Sequence, residues 1–384
     1  MTSLPARQRF KDNERAGIVI IGGGVVGLTI GRALAHRGIR EIVIVEKGTP
    51  GQEASWAAGG ILAPQVEAAA RDDFFQLAAT SRDRYPEFAR DLHAESGIDV
   101  ELDTSGTLYV AFAEEEEIEL RRRFRWQQSE DLQVAWLSGG EARELEPCLS
   151  DKVRCALRFP DDYQVNNRKL IEALHFANEA CGVRIVDHCP VESVRIADGA
   201  VRGVETARGP IAAEWVVLAA GAWSSTIAPG NSLPAVRVEP VRGQMLVFAP
   251  PSHFAQHVVY SARGYLIPRR DGRVIAGSTT EAAGFQKVVT EEGVQAIKSM
   301  ARQIAPAIEA LPVIDSWAGL RPRAQDGLPV LGPTRAVKGL IYATGHYRNG
   351  ILLAPITGEL IAEAIAAPSS SQIDVAFSPD RFSR

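Results

Sequence analysis

Apolar and polar positions alternate in a way that changes period along the chain, and each change predicts an element. Ile18–Ile21 is a short apolar run ending in glycine, which predicts a strand buried on both faces. From Val25 to His36 the apolar spacing becomes helical, and Gly38 closes it. The stretch EIVIVEKG, Glu41–Gly48, predicts a second buried strand. Strand, helix and strand in that order predict a βαβ unit at the start of a doubly wound sheet.

Two helical stretches follow, near Phe74–Ser96 and Glu114–Gln128. Within the second, EEEEIELRRR places Glu117 four residues before Arg121 and Glu119 four before Arg123, the spacing of a solvated helix face. GTLYVAF, Gly106–Phe112, has strand character. VNNRKLIEALHFANEACGVRIV predicts a helix and then a strand. A β-meander follows, with a hairpin signal at Asp198-Gly199, and it ends in a buried strand over Val216–Ala220. Strands dominate from Val236 to Gly277, and Glu291–Ile304 reads as a helix. A strand in GLIYATG leads into TGHYRNGILLAP, whose segment Gly345–Leu352 is expected to supply the N-terminus of a last helix. With no internal repeat and no low-complexity linker, two interleaved domains are expected.

Composition narrows the class. The chain has 384 residues, 46% of them hydrophobic and 23% charged, which suits a globular enzyme with a large core. A net charge of −5 offers no basic field, so no nucleic-acid partner is expected. The four cysteines, Cys148, Cys155, Cys181 and Cys189, form no C-x-x-C pair and no metal-ligand spacing, so reduced structural thiols and no metal site are expected. No apolar run approaches the roughly 20 residues of a membrane span. Residues 1–15 carry no apolar core of a signal peptide, and read as a frayed tail on a cytoplasmic protein.

Candidate chemistry begins at Gly22-x-Gly24-x-x-Gly27, between the first strand and its helix. The first glycine permits the tight turn, the second a close approach to a pyrophosphate, and the third helix–strand packing; Val25 and Val26 then start the helix whose N–H groups face the phosphates. Glu46 and Lys47 end the second strand, and a carboxylate there suits two ribose hydroxyls and disfavours NADP. The loop by itself does not separate FAD from NAD.

Further motifs carry a resemblance: GQEASWAAGGILAPQVEA, VVLAAGAW, YLIPRRDG, GSTTEAAGF, WAGLRPRAQDGLPVLGP and GHYRNGILLAP, in this order. The chain resembles the FAD-dependent D-amino acid oxidase superfamily, and within it the glycine oxidases of the thiamine pathway, from about Gly17 to the last helix. That resemblance implies an α/β fold, with a FAD-binding Rossmann-like domain interleaved with a substrate domain on a large antiparallel sheet. The FAD domain is expected over 16–98, 150–234 and 316–384, and the substrate domain over 99–149 and 235–315. FAD would be held non-covalently, since no cysteine lies in these motifs. Its expected lining adds Ser55, Ala57, Ala58, Gly59 and Gly60, the backbone of Val191, and Ala220, Gly221 and Trp223. Gly345, His346, Arg348, Asn349, Gly350, Ile351 and Leu352 would complete it, with His346 positioning the loop.

An amino acid presents a planar carboxylate, which an arginine fork grips bidentately. By the resemblance Arg321 is the main clamp, Tyr265 its partner and Arg348 the weaker member. No side chain need act as acid or base: the α-hydrogen leaves as hydride to the flavin, and positioning supplies most of the catalysis. The implied products are an imine, hydrolysed to 2-oxo acid and ammonia, and H2O2 from O2; glycine imine would feed thiazole assembly. A D-amino acid dehydrogenase with another electron acceptor is the alternative, and a homo-oligomer is compatible with either. Two departures stand out. Arg263 before Gly264, and Gly60 in AAGGIL, are expected to re-charge or widen the pocket entrance. Arg269, Arg270 and Asp271 read as the polar end of a hairpin without a role.

Overall fold

The computed structural model describes residues 10, 14–227, 236–250, 253–368 and 372–383. Residues 1–9 and 11–13 of the expected tail, and the expected domain boundary at 234/235, lie outside these. Of the tail, Phe10 donates its N–H to Arg208 O at 3.0 Å, and Arg15 already opens the first strand.

Two sheets organise the chain. The smaller has six strands in the order Val330–Pro333, Leu340–Thr344, Ala212–Leu218, Arg15–Ile21, Ile42–Val45 and Arg184–Val186. Its pairs are parallel except for the hairpin at one edge. Helices Val25–His36, Asn167–Ala180, Asp73–Ser96 and Ala354–Ala366 bury Leu28, Ile30, Leu174, Leu92 and Ile361 against one face. The other face meets the hairpin of Val191–Ala197 and Ala200–Thr206. There Asp198 and Gly199 take φ of 52° and 69°, the left-handed pair that the two-residue turn demands.

The larger sheet has eight strands: Val313–Ala324, Val238–Phe248, Val274–Gly277, Gly264–Pro268, Val258–Ser261, Thr107–Ala111, Cys155–Phe159 and Ala135–Ser138. Every pair is antiparallel except Val258–Ser261 with Thr107–Ala111, which is parallel. Helix Glu291–Ile304 covers one face through Ile297, Met300 and Ile304. The expected domain partition cuts this sheet: Cys155–Phe159 lies in a segment assigned to the FAD domain but pairs with Thr107–Ala111, and Val313–Ala324 straddles 315/316.

Helix boundaries follow local chemistry. Asp72 caps Asp73–Ser96 by accepting from Phe75 N at 2.8 Å, and Gly97, at φ 72°, ends it. On the Glu114–Ser129 helix the two expected ion pairs form, at 2.8 Å for Arg121–Glu117 and 3.0 Å for Arg123–Glu119. The last helix begins at Ala354, beyond the expected Gly345–Leu352. Gly345 at φ 73° and Tyr347 at φ 49° are left-handed, so no right-handed helix can run through them. Pro355 in the first turn needs no N–H partner there. Among the described residues no helix is long and apolar enough to cross a membrane, and all four cysteines are unbridged.

Candidate active site

The two sheets meet at a cleft of about 330 Å³. Its nucleotide end is built on glycine. A Cβ on Gly22 would stand 2.4 Å from Ala219 O, and one on Gly27 would stand 1.9 Å from Gly22 O, so neither position tolerates a side chain. The N-cap of the following helix, Gly24, provides no side-chain cap, and Ser55 Oγ accepts from Val25 N at 3.0 Å. Glu46 is buried; its two oxygens accept from Gly23 N at 2.8 Å and Gly48 N at 2.9 Å, which aims the carboxylate along the cleft wall. Lys47 Nζ sits 3.6 Å from the centroid of the Trp223 ring and 2.9 Å from Glu53 Oε1.

Farther in, Asn167 Nδ2 donates to Ser55 O and Trp56 O, at 2.8 and 2.9 Å, and so fixes the loop bearing Ala57–Gly60. Gly60 has φ 72° and its Cβ would stand 2.0 Å from Val165 O. Its glycine is therefore demanded by the backbone, not by a wider entrance. Arg263 does not line the cleft: it donates to Gln303 and borders a separate depression beside Thr290 and Met300. Arg269 is the larger correction. It is buried, and donates to Gly59 O at 2.7 Å and Val165 O at 2.9 Å, joining the larger sheet to the cofactor loop. Burial lowers its guanidinium to about 10, which leaves it cationic at neutral pH.

The other end of the cleft carries the arginines. Arg321, half-buried on Val313–Ala324, donates to Ser278 Oγ at 2.6 Å and Thr279 O at 3.1 Å. Tyr265 donates its hydroxyl to the same Ser278 Oγ at 3.1 Å, so one hydroxyl, on the side of the neighbouring depression, ties these two cleft-lining side chains together. A guanidinium carries five N–H donors, so the fork has capacity for a planar carboxylate beyond those two bonds. Arg348, on the turn after Leu340–Thr344, donates to Thr280 Oγ1 at 2.8 Å and is more exposed. Burial works against its charge, but Glu67 and Tyr265 hold its guanidinium above the ordinary value.

The turn itself is braced from outside. Tyr347 N donates to Pro322 O at 2.8 Å, one residue from Arg321. Ser81 Oγ donates to Leu352 O at 2.7 Å, and Tyr85 donates to Ile351 O. His346 is buried, with Nε2 3.1 Å from Thr357 Oγ1, and burial depresses its pKa to about 4. The imidazole is neutral and positions the loop.

Nearly all expected residues line the cleft: Gly22, Gly24, Val25, Val26, Glu46, Lys47, Ser55, Ala57–Gly60, Val191, Ala220, Gly221, Trp223, Tyr265, Arg321, His346, Arg348, Asn349, Gly350 and Ile351. Three do not. Gly27 packs helix on strand, Gly345 packs against Ala324, and Leu352 sits in the core. Sequence reasoning missed Glu67, Tyr260, Met245 and Ser278 near the arginines. A cleft with a glycine cradle, a helix N-terminus whose N-cap is glycine and a ribose-side carboxylate fits a flavin adenine dinucleotide. No cysteine is among its lining residues.

This site defines a flavin-dependent oxidoreductase, and comparison with known proteins agrees. The model of the DAO family, FAD dependent oxidoreductases, matches residues 17–364, and the chain belongs to that family. The chain is 36% identical over 354 residues to a glycine oxidase of Geobacillus kaustophilus, covering 92% of this chain and 93% of that protein. The crystal structure of a glycine oxidase from the same species superposes with a TM-score of 0.92 at 35% identity, over 96% of this chain and 99% of the other. A bifunctional ThiO/ThiG protein of Synechocystis is 36% identical over 95% of this chain, which spans only 54% of that longer protein.

Proposed function

We propose that the chain oxidises glycine, or another small amine that carries one carboxylate beside its C–N bond, to the imine. The observation that carries this reading is that Arg321 and Tyr265 both line the cleft that fits the flavin and are tied to one another through the Ser278 hydroxyl behind it. Arg321 grips the substrate carboxylate as a fork, Tyr265 hydrogen-bonds it, and Arg348 closes the same end. These contacts fix the α-carbon relative to the cofactor, which converts a bimolecular encounter into a positioned one. When bound, FAD would supply the two-electron oxidising chemistry at that carbon. Burial depresses the His346 pKa to about 4, which makes the imidazole a weak base, and its Nε2 is occupied by Thr357, so it is assigned no proton from substrate. Gly22 and Gly59 leave no room for a side chain, so backbone alone would meet the cofactor there.

The imine is hydrolysed to a 2-oxo acid and ammonia, and electrons pass to O2 as H2O2. The ThiO/ThiG relative joins this kind of module to a second one, which supports delivery of glycine imine to thiazole assembly. Peroxide release under air is the test, with glycine, sarcosine, D-Ala and D-Pro as substrates and a redox dye as rival acceptor. Peroxide with one of these amines supports the reading; dye reduction without peroxide replaces the oxidase with a dehydrogenase.

A further inference from the structure

Glu67 shares the cleft with Arg321, Tyr265 and Arg348 and has no part in the reading above. It ends the short helix Pro64–Glu67, and that loop is pinned: Asp162 accepts from Gln65 N at 3.2 Å and from Val66 N at 3.0 Å. Tyr260 donates its hydroxyl to Glu67 Oε1 at 3.3 Å. Glu67 is exposed and lines the cleft. Desolvation pushes its pKa up, opposed by Arg348, the Tyr260 hydroxyl, Arg321 and Arg123. Arg123 is not among the residues that line the cleft; it shares Glu119 with Arg122 and donates to Val66 O. The two arginines that face the substrate, Arg321 and Arg348, are therefore met by one carboxyl, Glu67. With Glu67 ionised, the balance is a single positive charge, which one substrate carboxylate neutralises.

We propose that Glu67 is a specificity-determining residue that restricts the enzyme to monocarboxylate amines, because a second carboxylate would meet an uncompensated negative charge beside the clamp. The inference rests on Arg321 as that clamp. Iminodiacetate is the discriminating probe, since it keeps the CH2–NH unit of glycine and adds a second carboxylate. A unit charge acting over several ångström through an effective dielectric of about 20 changes relative transition-state binding by about tenfold or more.

The test uses the FAD-loaded protein and measures kcat/KM for glycine, sarcosine and iminodiacetate. Glu67→Gln raises the iminodiacetate-to-glycine ratio by about tenfold or more, chiefly through KM for the dicarboxylate. Glu67→Asp keeps the charge and stays within about threefold of the original ratio. An unchanged ratio in flavin-bound Glu67→Gln, or the same shift in Glu67→Asp, overturns the inference. In the unaltered protein, acetate competes with glycine about tenfold more tightly than malonate does; equal or tighter malonate binding also overturns it. If the unaltered protein oxidises neither glycine nor sarcosine, the functional reading fails first, and the two failures are told apart.

Discussion

Arg321 and Arg348 have the same side chain but are held differently. Arg321 is half-buried on a strand and bonded to Ser278 and Thr279, whereas Arg348 is exposed on a turn and bonded to Thr280. A preorganised fork loses less freedom on binding a carboxylate. Arg321→Ala is therefore expected to lower kcat/KM for glycine by about 100-fold or more, and Arg348→Ala by roughly tenfold, mostly in KM. Steady-state kinetics beside the bound-flavin absorbance checks this; equal losses would refute the division of labour. His346 gives a pH prediction. Its folded pKa, about 4, lies below the ordinary 6.5, so the unfolded chain binds the extra proton and stability falls as pH drops from 6.5 towards 4. His346→Gln should flatten that slope by up to about 1.4 kcal/mol per pH unit, read by denaturant unfolding at pH 4.5 and 7; an unchanged slope contradicts it. Arg321 was legible because it stands in a distinctive motif. Glu67 was not: it stands inside a recognised motif, but nothing local gives it a role, and its partner Tyr260 is 193 residues away.

Elements were legible wherever their cause is local. Helical periodicity placed Val25–His36 and Glu291–Ile304 without error, and the Asp198-Gly199 turn formed as its residue types require. Expectation failed at the last helix, where the left-handed Tyr347 delays the start; no composition rule marks a tyrosine for that conformation. It failed again at Arg269, which looks like a hairpin tip but reaches Gly59, 210 residues away. Arg269→Leu leaves two buried carbonyls without their donor, at about 1–3 kcal/mol each. Its expected outcome is a lower melting temperature and faster loss of FAD on dilution. Flavin retention equal to the unaltered protein would show that the strut between loop and sheet is not needed.

At the scale of the molecule, local signals sufficed for the contiguous βαβ start of the six-stranded sheet, but not for its edge strand Val330–Pro333 or for the eight-stranded sheet. There Thr107–Ala111 lies beside Val258–Ser261, a pairing set by the packing of both faces and invisible to periodicity. The same non-local assembly explains why the expected partition cut one strand of that sheet and assigned another to the FAD domain. It also makes the active cleft, because neither sheet alone presents both the glycine cradle and Arg321. The central claim is that this cleft oxidises an amine held by its carboxylate. Anaerobic bleaching of the bound flavin tests it most directly, because no electron acceptor beyond the cofactor enters. Glycine should bleach the flavin, and methylamine, which lacks the carboxylate, should do so at least about 100-fold more slowly. Bleaching by methylamine at the rate of glycine, or none by glycine, sarcosine, D-Ala or D-Pro, would contradict the account.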